Sequence, residues 1–170
     1  MAQLLAPLTR GTLHFIPNAA PPDSVASAVR DIDFIWVNRL IAQRRSDWFI
    51  DALHDPSLSH VTAAILGFER ALAGEGVAGA QAYVQSRPRN GVDLLGFVDP
   101  RDHYARARFF VLPTDIVFGN NALLEAMGHG VVPIVSWTDA TALIVEDGVS
   151  GIVCEHSARG LLEGMRRASR

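Results

Sequence analysis

The chain has no lysine: all fifteen of its basic residues are arginine, so any cation the chemistry calls for must be sought as arginine. It has one cysteine, Cys154, which cannot form an internal disulfide, and a reducing, cytoplasmic setting is expected. Its longest apolar runs are strand-sized, so no transmembrane segment is expected. The opening MAQLLAPLTR carries no basic region and too short an apolar stretch for a secretory signal. Its six histidines show no metal-ligand spacing. No G-x-G-x-x-G follows the first strand-like run, which counts against a dinucleotide-binding oxidoreductase. The net charge of −3 gives no general attraction to nucleic acid or anionic membrane. No internal repeat or low-complexity tract is visible.

What is present is apolar and alternating. Of 170 residues, 49% are hydrophobic, enough for one domain whose sheet is covered on both faces. The stretch FFVLPTDIVFGNNALLEAMGHGVVPIVS, residues 109–136, organises the rest. Phe109 to Leu112 reads as a buried strand stopped by Pro113-Thr114. Gly119-Asn120-Asn121 precedes ALLEAM, a strong helix former for which asparagine is a favoured N-cap. Gly128 and Gly130 close that helix, and Val131 to Val135 read as the next strand. This is a βαβ unit whose helix N-terminus can hold a phosphate on its backbone N–H groups. Glu125, one turn inside, is placed to accept hydrogen bonds from hydroxyls such as those of a ribose.

Upstream, residues 1–30 read as a linker or hinge, with a weak strand over Leu13 to Ile16 and breaks at Pro17 and Pro21-Pro22. Residues 31–170 read as the folded domain. Strands are expected at Phe34 to Val37, Val61 to Leu66, Val92 to Val98 and Ile152 to Cys154. Helices are expected through Trp48 to Leu53, over Ala78 to Gln85, from Asp99-Pro100 through Ala107, and from a Thr138 or Asp139 cap to Glu146. A turn at Asp147-Gly148 follows, and an amphipathic helix runs through Met165. About six strands alternating with helices predict an α/β, Rossmann-like, doubly wound parallel sheet with right-handed crossovers. Ligands bind such sheets at the carboxyl ends of the strands. Arg39, Gly67, Val98, the loop 115–121 and Trp137 should share that rim.

In order and in residues, the chain resembles the C-terminal, donor-binding half of a GT-B fold glycosyltransferase of the group 1, family 4-like type. LHFIPNAA at 13–20 resembles the hinge before that half. VNRL followed by Arg44 resembles the pattern in which a strand-end arginine and a lysine five residues on hold the donor diphosphate, with arginine here at both places. LLGFVDPRDHYARARFFVLPT resembles the base-binding segment. FGNNALLEAMGHGVVPIVS resembles the phosphate and ribose segment and is the most specific match; IVEDGVSGIV resembles the run before the last strand. The resemblance covers residues 13–168.

It implies Arg39 and Arg44 on a diphosphate, and phosphate or ribose contacts from Phe118, Gly119, Asn120, Asn121, Ala122 and Glu125. The backbone of Gly96, Phe97 and Val98 would meet the base. The implied donor is a UDP- or GDP-hexose, with no metal expected because two guanidiniums and a helix terminus offset the leaving-group charge. Charge-assisted bonds of this kind contribute about 1.5–3 kcal/mol each.

The chain departs from the pattern on the sugar side. Eight positions before Glu125, where the family carries an acid, stands Val117; aligned on FGN the place falls to Ile116. Asp115 is the nearest acid, and Asp115 or Asp139 is the candidate substitute. Asp139-Ala140 stand where paired glycines are expected, and Leu143 where a glutamate is. The resemblance therefore implies nucleotide binding with altered sugar handling. It also implies little transfer without an N-terminal acceptor domain or partner subunit, as in an excised domain, a truncated product or a split enzyme. The rival reading is a non-catalytic nucleotide- or protein-binding module on the same fold; an NAD-binding oxidoreductase fragment is the third.

Three lookalikes are assigned to structure. Asp31-Ile32-Asp33 has the D-x-D form but precedes the first strand, at the end opposite the rim. Cys154-Glu155-His156 lacks a third group to orient a base. His129 follows a helix end, where it should bond carbonyl groups.

Overall fold

The computed structural model describes residues 29–67, 82–115 and 120–170. The linker and hinge expected at 1–30 lie almost wholly outside these, as do Ile116, Val117, Phe118 and Gly119.

Six strands form one sheet: β1 (Ile32–Val37), β2 (Ala63–Leu66), β3 (Val92–Gly96), β4 (Ala107–Leu112), β5 (Val132–Ser136) and β6 (Ile152–Cys154). Every pairing is parallel and the order is β3-β2-β1-β4-β5-β6. The order reverses between β1 and β4, so the crevice of a doubly wound sheet opens beyond the carboxyl ends of those two strands.

Side-chain alternation builds a core on each face. Phe34, Trp36, Ala63, Ile65, Val111 and Ile134 point to one face, packed with Phe49 and Leu53 of helix α1 (Ser46–Leu53). Leu161 and Met165 of the C-terminal helix, Ala158–Ala168, close the same face. Ile35, Ala64, Leu66, Phe110, Leu112 and Val135 point to the other. There they meet Tyr104 of α2 (Arg101–Arg106) and Leu123 and Ala126 of α3 (Asn121–Gly128). The C-terminal helix is accordingly α4. Burying each large apolar side chain contributes about 1.5–3 kcal/mol, and the near-continuous apolar runs of β2 and β4 follow from having both faces covered.

Local differences have local causes. The third strand stops at Gly96, whose φ of +69° turns the chain, so Phe97 and Val98 lie in the loop beyond it. The helix after Asp99-Pro100 ends at Arg106, and strand geometry begins at once with Ala107. Asp99 Oδ1 accepts the Arg101 N–H at 3.1 Å, but the N-cap of the helix is Pro100, one residue later than the sequence suggests. Only the end of the helix expected over 78–85 is described; residues 82–85 are helical.

The helix expected from Thr138 or Asp139 to Glu146 is instead a single 3-10 turn, Thr141–Leu143. The Thr141 hydroxyl accepts from Thr138 N–H at 2.8 Å and donates to the Ser136 carbonyl at 2.8 Å. A side chain serving as turn partner in this way competes with helical bonding. Among the described residues no helix is long and apolar enough to cross a membrane.

Candidate nucleotide site

Three strand ends are stitched into one rim. Asn38 N–H donates to the Leu66 carbonyl at 3.3 Å, and Gly67 N–H donates to the Gly96 carbonyl at 2.8 Å. The β2–β3 register shifts between Ile65 and Leu66, so Leu66 stands opposite Gly96. Gly67 takes φ +102°, and a Cβ there would lie 2.2 Å from the Asn38 carbonyl oxygen, so only glycine lets the two turns touch.

Above this floor lies a cleft of about 270 Å³. Its walls are Asn38, Arg39 and Arg44 from the β1 side, Phe97 from beyond β3, and Asn120 to Ala122 at the start of α3. The volume falls just below the roughly 300–1,000 Å³ of pockets that enclose a whole small-molecule ligand. This is an open shelf, suited to holding one end of a larger ligand.

The charge on the shelf is positive. Burial first, then the charge of Arg39, pulls the Arg44 guanidinium below its ordinary pKa. Two like charges held this close are relieved by an anion between them. Arg44 Nη1 donates to Thr114 Oγ1 at 3.1 Å. Arg39 is exposed, and among the described residues it has no carboxylate partner. Asn38 Oδ1 accepts the Arg39 N–H at 3.2 Å, while its buried Nδ2 has no partner among the described residues. A ligand oxygen would satisfy that donor.

Asn120 caps α3 as its residue type predicts: its side chain accepts the Leu123 N–H at 2.9 Å. The helix begins at the cleft wall, so its amide end and partial positive charge face the same space as the arginines. Phe97 is 84% exposed, and of the loop expected to meet a base it is the residue that lines the cleft.

Of the residues expected at the site, Arg39, Arg44, Phe97, Asn120, Asn121 and Ala122 therefore come together. Gly96 lies below them as the partner of Gly67, and Val98 is exposed beyond Phe97. Glu125 is half-buried on α3 beside Tyr104, whose hydroxyl is pushed far above its usual pKa by burial and then by that carboxylate. Phe118 and Gly119 lie outside the described residues. Asp115 turns its carboxylate to Arg45 Nε at 3.0 Å and His156 Nε2 at 3.1 Å.

Sequence reasoning passed over Asn38, Thr114, Arg45 and His156. Asn38 carried a signal, an amide directly after a buried strand. The others carried none, because their partners lie 41 to 71 residues away.

The residues assigned to structure behave so. Asp31 pairs with Arg106, and Asp33 with Arg108 and the Thr62 backbone. His129 Nδ1 bonds the Glu125 carbonyl at 2.9 Å. Cys154 is buried, and its thiol donates to the Val135 carbonyl at 3.3 Å. Among the described residues no group of three or more His, Cys, Asp or Glu could hold a metal ion. A second hollow of about 300 Å³ lies beyond β5, walled by Trp137, Thr141, Val145, Glu146, Asp147 and Val153. It has two carboxylates and no cation, the wrong lining for a phosphate.

A family model described as "Glycosyl transferases group 1" matches residues 31–170. No curated protein matches the chain. Among solved structures, a TarM variant from S. aureus in complex with fondaparinux, alpha-GlcNAc-glycerol and UDP superposes with a TM-score of 0.75 at 12% identity, over 99% of this chain and 35% of its own. HepE from Anabaena, in complex with UDP and glucose, gives 0.68 at 22% identity, over 83% of this chain and 39% of its own. The pneumococcal O-GlcNAc transferase GtfA, in complex with UDP and GlcNAc, gives 0.68 at 21% identity, over 98% and 34%. The chain thus spans about a third of the length of these solved relatives. The likeness is one of fold, that of a GT-B-type domain.

Proposed function

Because this chain belongs to the group 1 glycosyl transferases, we propose that its shelf binds the nucleoside diphosphate end of a hexose donor. One observation carries the reading: Arg39 and the half-buried Arg44 line one cleft with the amide end of α3. Such a pair is poorly placed in an empty protein and well placed around two linked phosphoryl groups. Charge-assisted bonds of about 1.5–3 kcal/mol each, less the cost of association, give roughly micromolar to millimolar affinity.

The proposed roles follow the cleft lining where it is described and the family resemblance elsewhere. Arg39 and Arg44 take the diphosphate, and the backbone at Asn120 to Ala122, with the adjoining Phe118 and Gly119, takes phosphate oxygens. Asn38 Nδ2 supplies a further donor. The loop Gly96 to Val98 meets the base, and Glu125 the ribose hydroxyls. UDP is the preferred nucleotide over GDP, since the three relatives described above carry UDP in their structures. No metal is required in this scheme, because fixed cations and a helix terminus already stabilise the leaving diphosphate. Transfer needs an acceptor-binding half of the kind the longer relatives have room for, from the same or a partner chain, and the chain alone transfers slowly or not at all.

A second reading, a non-catalytic nucleotide- or protein-binding module, has its own support. Val117 replaces the expected sugar-facing acid, Leu143 stands 61% exposed where a glutamate was expected, and Asp115 is engaged by Arg45 and His156. Calorimetric titration with UDP, GDP and NAD separates the cases. UDP binding weakened about tenfold by Arg39→Ala, a loss of ~1.4 kcal/mol, supports the donor site. Absence of nucleotide binding at millimolar concentration refutes it and leaves a protein-binding module.

A further inference from the structure

We infer that Thr114 and the cluster Arg45–Asp115–His156 are positioning residues, holding Arg44 in the cleft without touching the ligand; the inference rests on the donor-site reading above. Arg44 reaches the cleft from a short 3-10 turn, Ala42–Arg44, which has no buried residue and no side-chain cap. Such a turn is a weak mount for a half-buried cation, so its orientation must come from elsewhere. It comes from the end of β4.

The buried Thr114 hydroxyl is the link. It accepts from Arg44 Nη1 at 3.1 Å and donates to the Gln43 carbonyl at 3.0 Å. One hydroxyl can do both, having one proton and two lone pairs. The Asp115 N–H donates to the same Gln43 carbonyl at 3.0 Å. The turn is thus sewn, at the residue before the arginine, to the segment that follows β4.

The next residue fixes the far side. Arg45 holds φ +54°, a left-handed conformation that a side chain with a Cβ adopts only when its surroundings impose it. Arg45 takes it as the C-cap of the turn, its N–H donating to the Ala42 carbonyl at 3.1 Å, and its guanidinium is held 4.7 Å from the Trp48 ring centre with Nε 3.0 Å from Asp115 Oδ1. His156 Nε2–H donates to the same oxygen at 3.1 Å, and its ring lies 5.1 Å from that of Trp48. Asp115, itself held by His156 from the loop between β6 and α4, therefore anchors Arg45 and through it the residue before. This use of Asp115 differs from the sugar-facing role its position first suggests.

The test is a double-mutant cycle on UDP affinity in the 170-residue chain, using Arg44→Ala, Thr114→Val and the pair. Valine keeps the shape of threonine and removes the hydroxyl. Thr114→Val is expected to weaken UDP binding about fivefold in the parent and by less than about twofold once Arg44 is gone, as coupled residues do. Thr114→Ser should restore affinity, and Asp115→Asn, which keeps size, should weaken binding in the same Arg44-dependent way if the valine variant folds poorly. NMR on the ligand-free chain should show faster solvent exchange of the Arg44 Nε–H in Thr114→Val. If Arg44→Ala weakens UDP binding while Thr114→Val and Asp115→Asn do not, or act equally without Arg44, the positioning inference is overturned. If Arg44→Ala itself leaves UDP affinity unchanged, the donor-site reading fails first and takes the inference with it.

Discussion

A methyl group on Gly67 would lie 2.2 Å from the Asn38 carbonyl oxygen, in a backbone conformation that disfavours any side chain. Neither atom can yield cheaply, because Asn38 N–H is tied to Leu66 and Gly67 N–H to Gly96. Gly67→Ala should therefore spread the ends of β1 and β2 apart. Urea unfolding is expected to show a loss of about 1–3 kcal/mol with an unchanged slope. Titration should show UDP affinity falling as well, since Asn38 and Arg39 ride on the displaced turn. A variant as stable as the parent would mean the rim is more pliant than its geometry indicates.

The strands could be read from the sequence because burial on both faces writes a local signal. Phe34-Ile35-Trp36 and Phe109-Phe110-Val111 alternate between the two cores, and each run is apolar enough to stand out unaided. Asn120 was legible for a similar reason: capping involves atoms three residues apart. Arg39 and Arg44 were legible only through a family resemblance, since two arginines five residues apart are ordinarily a solvated surface pair. Their shared cleft needs the sheet order to exist first. The Asp115 ion pairs and the Thr141 turn were hidden for different reasons. The first joins residues 41 and 70 positions apart, and the second depends on a hydroxyl choosing a local partner over a helix.

Asn120 caps a helix and lines the proposed site, and the two roles can be separated. Asn120→Ala removes the acceptor for the Leu123 N–H and should cost about 1 kcal/mol of stability. Asn120→Asp keeps the cap but sets a carboxylate at the phosphate end of the cleft. The aspartate variant should melt close to the parent yet bind UDP at least about tenfold more weakly, a difference of ~1.4 kcal/mol. Equal affinity for UDP in parent and aspartate variant would remove the helix mouth from the site.

Cys154 gives a pH prediction. Burial raises its thiol to about 11, only partly opposed by the Ser136 hydroxyl. A pKa raised in the folded state means stability fully present below the unfolded value and lost as pH rises through the folded one. An ordinary thiol titrates at 9.0, so the sensitive window runs from there to about 11. Chemical denaturation should show the parent losing stability across that window, and Cys154→Ala losing less. Thiol alkylation at pH 8 should be slow in the native chain and fast once it unfolds. Rapid native alkylation would place the sulfur in reach of solvent and end the structural assignment.

Arg39 is the residue at which binding and stability should part company. It is exposed and has no carboxylate partner among the described residues, and its charge works against the half-buried Arg44. Removing it from the empty protein takes away a repulsion and no attraction. On the proposed reading, the same cation becomes, with a diphosphate present, one of the two guanidiniums that hold it. Arg39→Ala should thus melt no lower than the parent without ligand and lower than the parent in saturating UDP. The gain on ligand addition follows from mass action, so weaker binding must appear as a smaller thermal shift. The parent's affinity should also fall more steeply with added salt, because one more exposed charge takes part. If Arg39→Ala instead lowered the melting temperature of the empty chain and left the UDP-induced shift intact, the arginine would be part of the scaffold and the shelf would lose its second cation.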